Sequence, residues 1–490
     1  MKKSIQSVFL LAIAICFSHV ICSELSAAEK RKPNVIILFT DDQGYADVGV
    51  HGSRLMKTPH IDRLAKNGIR FTGGYVTAPQ CGPSRAGIMT GQYQQKFAME
   101  ANAASFKSFG LSTTIDIFPQ YMKKAGYVTA GLGKWHLGEK LPQYQPGKRG
   151  FDWTWGMPGS PTKLNGKDYP RQHHTATSTH NTEKLTIGAV DYIKKNRNKP
   201  FFMYLAYHVP HAPYRSVSKW MDKNTDVKDK NKRILAGMIS ELDSSVGRIM
   251  AALTEHKLEE NTIVFFISDN GAQLAPKYPH TVGSNDPLKG KKGTLYEGGI
   301  RVPWIVQWKG TIKKGQVSDE PVSSLDLLPT ALAAAGRKDL VSKKLDGVDL
   351  LPFFSGKAKT IPKRPLYFRW MGHMAIREGD WKLVRAINGR NGPPGNFELY
   401  NLSDDFKETK DLAKKNPQAV ERLRKKLFAW NSTLTAPGWI TKTQVPWLTG
   451  IYGKAGMTPY KAEGYTGRLP GEVSSRKPRE PKPRKKRRER

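Results

Sequence analysis

From Pro33 onward, short apolar runs alternate with amphipathic stretches. Val35 to Phe39 is apolar throughout, the pattern of a strand buried on both faces, and it runs into Asp41-Asp42. Thr58-Pro59 predicts a helix start, with Thr58 as cap, Pro59 at the first helical position, and Ile61, Leu64 and Ala65 on one face. Tyr127 to Ala130 and Phe201 to Ala206 read as further strands. Ile234, Met238, Leu242, Val246, Ile249 and Leu253 recur at helical spacing. Thr262 to Ile267 is another buried strand, followed by Asp269-Asn270. This alternation predicts an α/β domain with a mainly parallel sheet.

The chain becomes loop-like from Pro352 to Pro365. Leu366 to Phe368, Met374 to Arg377 and Trp381 to Val384 then read as short strands joined by turns such as Glu378-Gly379-Asp380. A helix follows, with Val420, Leu423, Leu427 and Trp430 on one side. The expected organisation is a signal peptide over 1–28, a catalytic domain over 33–360, a smaller C-terminal α+β domain over 365–450, and a basic, disordered tail over 451–490. No internal repeat is present.

Composition allows a sizeable core, because 38% of the 490 residues are hydrophobic. The formal net charge of +37 changes the picture more. A chain this basic attracts polyanions, either nucleic acid or sulfated polysaccharide. No nucleic-acid-binding signature is present, so nucleic acid is not the expected partner. The tail from Arg476 holds ten Lys or Arg against two Glu, and lacks the apolar residues a core needs.

Lys2 and Lys3, the apolar run Val8 to Cys16 and the small residues Ser26-Ala27-Ala28 read as a signal peptide cleaved before Glu29. A retained N-terminal anchor is the alternative. Export, to the periplasm or the medium, removes Cys16 and Cys22, and no transmembrane anchor is expected afterwards. The mature chain then keeps one cysteine, Cys81, and forms no internal disulfide.

Two strand ends carry paired oxygen donors, Asp41-Asp42 and Asp269-Asn270. The carboxyl ends of parallel strands share one edge, where ligands bind. Three carboxylates and one amide oxygen make a hard site for Ca²⁺ or Mg²⁺, not for zinc. Asp and Asn also cap helices and form turns, which is the structural alternative for each pair. Cys81 opens Cys81-Gly82-Pro83-Ser84-Arg85-Ala86-Gly87, followed by Thr90-Gly91. At a helix N-terminus beside Arg85, it lies in surroundings that favour anions.

These segments carry a resemblance. Cys-x-Pro-Ser-Arg with its downstream Thr-Gly, Gly133-Lys134-Trp135-His136-Leu137-Gly138, and Lys292-Gly293-Thr294 running into Glu297-Gly298-Gly299-Ile300-Arg301 come in the order found in the sulfatase family. From about Pro33 to Trp430 the chain resembles that family. The resemblance implies an alkaline-phosphatase-like fold, a large mixed sheet flanked by helices with a smaller C-terminal α+β domain. It implies that a maturation enzyme oxidises Cys81 to formylglycine, an aldehyde whose hydrate has one hydroxyl to attack sulfur and a second to expel sulfate. It further implies one divalent cation, Ca²⁺ ahead of Mg²⁺, held by Asp41, Asp42, Asp269 and Asn270 with the modified Cys81 touching it. Arg85 and Lys134 are then expected to hold the formylglycine, and His136 to act as base. His211 and Lys292 are expected to bind sulfate and assist the leaving oxygen. His208 is a weaker candidate, either structural or a support to the site.

The expected activity is hydrolysis of sulfate monoesters on a sulfated carbohydrate. A phosphate or phosphonate ester hydrolase on the same scaffold and a non-catalytic polyanion-binding protein are the rivals. His173-His174 and His180 belong to a polar insertion, Gly156 to Asn181, and read as surface residues. The eleven Trp suit sugar stacking and core packing equally.

Overall fold

The computed structural model describes residues 31–102, 109–161, 163–164, 167–168, 181–274, 282–385 and 395–438. The signal segment, the basic tail, His173-His174 and His180 lie outside them. The apolar runs form strands because each can bury both faces. In β1 (Asn34–Thr40) Val35, Ile37 and Phe39 enter one core cluster, while Ile36 and Leu38 enter the cluster on the opposite face. The other main-sheet strands are β2 (Ile69–Phe71), β3 (Val128–Gly133), β4 (Trp153–Trp155), β5 (Phe201–Ala206), β6 (Thr262–Ser268), β7 (Trp304–Gln307) and β8 (Gln316–Ser318). Their order is β8-β2-β7-β6-β1-β5-β3-β4. Neighbours are parallel except around β7, which runs antiparallel to β2 and β6. The mainly parallel sheet expected from the alternation is therefore present, with one reversed strand.

Helices cover both faces. The helical repeat centred on Leu242 lies in a 26-residue helix, Lys230–Glu255, whose first turn is capped by the Asp229 carboxylate on the Lys232 N–H at 2.8 Å. Pro59 opens Pro59–Lys66 as expected, but Thr58 does not cap it with its side chain. The Thr58 hydroxyl instead accepts from the Gly49 N–H at 2.7 Å and donates to Asp62 at 3.0 Å. Tertiary demand from the loop after β1 outcompetes the local cap.

A separate C-terminal domain is built on an antiparallel sheet of β9 (Leu366–Trp370), β10 (His373–Glu378), β11 (Trp381–Arg385) and β12 (Glu398–Asn401), covered by the helix Pro417–Ser432. The fourth strand, absent from the sequence reading, has only four residues with polar ends.

A buried ion cluster ties the two domains together. Lys382 Nζ on β11 lies 2.8 Å from both Glu297 and Glu408, with all three side chains wholly buried. Glu408 also accepts from the Glu297 N–H at 2.7 Å, and Tyr75 donates to Glu297 at 2.6 Å. Burial alone would raise the Glu297 pKa. Lys382, Arg301 and Arg377 outweigh it and bring the value to about 2. Removing the lysine leaves Glu408 buried without its cation and Glu297 with Arg301 and Tyr75 alone, so Lys382→Met is expected to cost about 3–5 kcal/mol in urea unfolding. A loss under 1 kcal/mol would show that water or Arg377 replaces the ammonium.

Candidate active site at the carboxyl edge of the sheet

Four adjacent parallel strands, β6, β1, β5 and β3, deliver their following loops to one edge. Asp41-Asp42 follows β1, and Lys134 and His136 follow β3. His208 and His211 follow β5, and Asp269-Asn270 follows β6. Topology alone thus gathers groups more than two hundred positions apart. Two of these residues hold left-handed backbone, Asp42 at φ 62° and His136 at φ 64°. Such conformations cost non-glycine residues about 1–3 kcal/mol and cluster at functional sites. Here they turn the chain sharply just past a strand end.

Cys81 opens the helix Cys81–Thr90 and is 1% exposed. Its Sγ accepts from Lys292 Nζ at 3.1 Å and lies 3.9 Å from Asp42 Oδ1. The next backbone N–H, of Gly82, donates to Asn102 Oδ1 at 2.9 Å. Burial pushes the Cys81 thiol up to about 12, although Lys134 and Lys292 pull the other way. An unmodified thiol here carries almost no thiolate at neutral pH, and only the thiolate is a good nucleophile.

Cations face the carboxylates one for one. Lys134 Nζ lies 2.6 Å from Asp41 Oδ2, and Lys292 Nζ lies 2.5 Å from Asp42 Oδ1. Arg85, wholly buried, donates to Asp269 Oδ2 from Nε at 3.1 Å and from Nη2 at 2.6 Å. Its Nη1 donates to the Tyr204 hydroxyl at 3.2 Å, and its Cζ sits 5.1 Å from the Phe39 ring centre. Burial opposes ionisation of Asp41, but Lys134, His211, Arg85 and Lys292 hold it well below the usual carboxylate range. Asp269 is pushed up to about 7, first by burial and then by Asp41, against the pull of Arg85.

His136 is kept neutral, its pKa driven well below 6.5 by burial and then by Lys134 and Arg85. His211 presents Nε2 to Asp42 Oδ2 at 3.5 Å, while Nδ1 faces the Ala212 carbonyl at 2.5 Å. Burial lowers its pKa more than Asp42 and Asp41 raise it. His208 pairs instead with Asn181 Nδ2 at 2.8 Å, at the start of the helix Asn181–Asn196.

The residues suit a hard cation. Asp41 Oδ1, Asp42 Oδ2 and Asn270 Oδ1 are buried and accept no hydrogen bond. Orphaned acceptors of this kind are costly, and a divalent ion relieves the cost. The Asn270 amide is oriented by its nitrogen, which donates to Asp42 Oδ1 and to the Gly271 carbonyl at 2.8 Å each, leaving the oxygen free. Donor atoms of Asp41, Asp42, Cys81 and His211 lie within 4.8 Å of one another. Asp269 is more committed, since its Oδ1 accepts the Asp42 N–H at 3.0 Å and its Oδ2 accepts from Arg85. Asn102, Tyr204, Gln80 and Trp370, which also border this site, were not anticipated. Their roles depend on contacts between distant segments that leave no local pattern.

Residues 33–337 match the sequence model of the Sulfatase family. The chain belongs to the sulfatase family. Residues 290–432 also match the model of the N-sulphoglucosamine sulphohydrolase C-terminal region, which takes in Lys292 and the small antiparallel sheet. Mouse N-acetylgalactosamine-6-sulfatase is 34% identical over 388 residues, which are 73% of each chain. Mouse arylsulfatase J is 30% identical over 84% of this chain and 77% of its own. The solved structure of Ps i-CgsB superposes with a TM-score of 0.76 at 32% identity, over 86% of this chain and 97% of the other. The same protein has been solved with k-i-k-neocarrahexaose. As a sulfatase, this chain is a sulfuric ester hydrolase, and its fold is that of solved sulfatase relatives. Among the described residues, no helix is long and apolar enough to cross a membrane.

Proposed function

We propose that this sulfatase removes sulfate from a sulfated saccharide after export, with a side chain at position 81 that a maturation enzyme has converted to formylglycine. The observation that carries the reading is the approach of Lys292 Nζ to both Cys81 Sγ and Asp42, at 3.1 and 2.5 Å, beside orphaned oxygens of Asp41, Asp42 and Asn270. The saccharide rests on the names of the relatives and on the net charge of +37, which complements an anionic polymer.

When present, the hydrated aldehyde supplies an attacking hydroxyl and a second one for sulfate release, and a divalent ion offsets charge on the sulfuryl oxygens. Asp41, Asp42, Asp269 and Asn270 are the residues that would hold that ion, with Ca²⁺ preferred over Mg²⁺. Lys292 places an ammonium at the sulfuryl group. Lys134 and Arg85 fix the carboxylates and oppose charge on the nucleophile. His136, neutral, takes a proton from the side chain at 81, and His211, once protonated on both ring nitrogens beside Asp42, gives the Nε2 proton to the leaving oxygen.

The test compares 4-nitrophenyl sulfate, 4-nitrophenyl phosphate and defined sulfated saccharides, with mass spectrometry of the peptide containing residue 81. Sulfate release from at least one saccharide, with formylglycine present, is expected. Faster turnover of the phosphate ester would overturn the assignment. Chelation should lower both activity and thermal midpoint, since the buried oxygens Asp41 Oδ1, Asp42 Oδ2 and Asn270 Oδ1 then lose the partner that satisfies them. Ca²⁺ or Mg²⁺ should restore both. Restoration by Zn²⁺ alone would overturn the oxygen-donor assignment.

A further inference from the structure

The C-terminal domain reaches the catalytic edge through the tip of one hairpin. β9 ends at Trp370 and β10 begins at His373, with Met371 at φ 49° and Gly372 at φ 86° between them. The tip is locked in place. Arg369 donates to Glu100 Oε1 from Nε at 2.8 Å and Nη2 at 2.5 Å, and the Met371 N–H donates to Glu100 Oε2 at 2.7 Å. Gln95 donates to the Arg369 carbonyl at 2.6 Å. Arg369 and Glu100 are both buried, so the tip cannot shift without exposing an unpaired charge.

Trp370 is 4% exposed. Its Nε1 donates to Gln80 Oε1 at 3.2 Å. Its Cη2 faces Gly293, where a Cβ would lie 3.7 Å away. Gln80 immediately precedes Cys81, and Gly293 immediately follows Lys292. The two loops also meet directly, through the Gly293 N–H on the Pro79 carbonyl at 2.8 Å. One indole is thus hydrogen-bonded to the first of the two segments and lies over Gly293 of the second, and the next residues of these segments make the 3.1 Å contact between Lys292 Nζ and Cys81 Sγ.

We propose that Trp370 is a positioning residue for sulfate-ester hydrolysis, contributed by the C-terminal domain to hold Lys292 against the side chain at 81. The inference rests on the assignment of Cys81 and Lys292 made above. Loss of the brace would let the two segments shift relative to each other. A misplacement of about 1 Å at a reacting centre can cost up to about a hundredfold in rate. Binding of the saccharide away from the sulfate is untouched, so the loss belongs in kcat.

The test uses the full chain, with rates divided by formylglycine content from mass spectrometry. Trp370→Phe removes the N–H and keeps an aromatic ring. Gln80→Leu removes the acceptor and leaves Trp370 in place, so it carries the test if the first variant folds poorly. Each should lower kcat about tenfold with KM within twofold, and the double variant should lose no more than either alone. Wild-type kcat in both single variants overturns the inference. So does a rise in KM alone, which would make Trp370 part of the saccharide-binding surface, or losses that multiply in the double variant. A wild type that releases no sulfate removes the reading of the site itself, a result distinct from these.

Discussion

Cys81→Ala is expected to abolish sulfate release, by on the order of 10⁴-fold or more, while leaving the fold intact. The stability half of that expectation follows from what the thiol does. Its Sγ takes one hydrogen bond from Lys292 and makes a long contact to Asp42, and Lys292 keeps its 2.5 Å ion pair when sulfur is gone. No buried charge is stranded, so circular dichroism and the thermal midpoint should match wild type within a few degrees. Turnover should fall to the level of the buffer. A variant retaining a tenth of wild-type activity would mean that another group attacks sulfur. Loss of both fold and activity would leave Cys81 a packing residue.

His211→Ala is expected to produce the second largest effect, and an uneven one. Proton donation by a placed imidazole contributes about 10²–10⁴-fold when the leaving group is a poor one. A sugar alkoxide needs that proton, whereas 4-nitrophenolate does not. The variant should lose most of its kcat on a sulfated saccharide and far less on 4-nitrophenyl sulfate. With Nδ1 on the Ala212 carbonyl, Nε2 is the atom that faces the site. Equal losses on both substrates would restrict His211 to binding. Loss of the divalent ion in the variant, read by elemental analysis, would make Nε2 a ligand instead.

Much of the fold was legible because its strongest elements obey simple periods. β1 and β6 are apolar at every interior position, which only a strand covered on both sides tolerates, and the 26-residue helix repeats its apolar residues on one face. The donor pairs were legible because they sit where those runs stop. The short strands were harder. Trp304–Gln307 has four buried residues, too few to distinguish a strand from a loop, and its reversed direction depends on pairing with β2 and β6. Thr58 misled because its hydroxyl serves another segment. Tyr204 and Trp370 looked like ordinary core aromatics, and their polar atoms meet Arg85 and Gln80 through contacts that chain order does not announce.

The deep placement of Cys81 also has a consequence for the order of events during synthesis. At 1% exposure, with the neighbouring Gln80 bonded to Trp370 of the C-terminal hairpin, the thiol of the folded chain is closed to a modifying enzyme. Roughly 290 residues separate it from that hairpin, which at ribosomal speeds of about 5–20 residues per second is a delay of about 15–60 s. The oxidation proposed for this side chain would then be confined to the interval in which the nascent chain is still incomplete or held unfolded. Slowing translation between codons 81 and 370 should raise the fraction of modified protein. Refolding the finished, unmodified chain should yield a molecule that no later exposure to the maturation enzyme can activate.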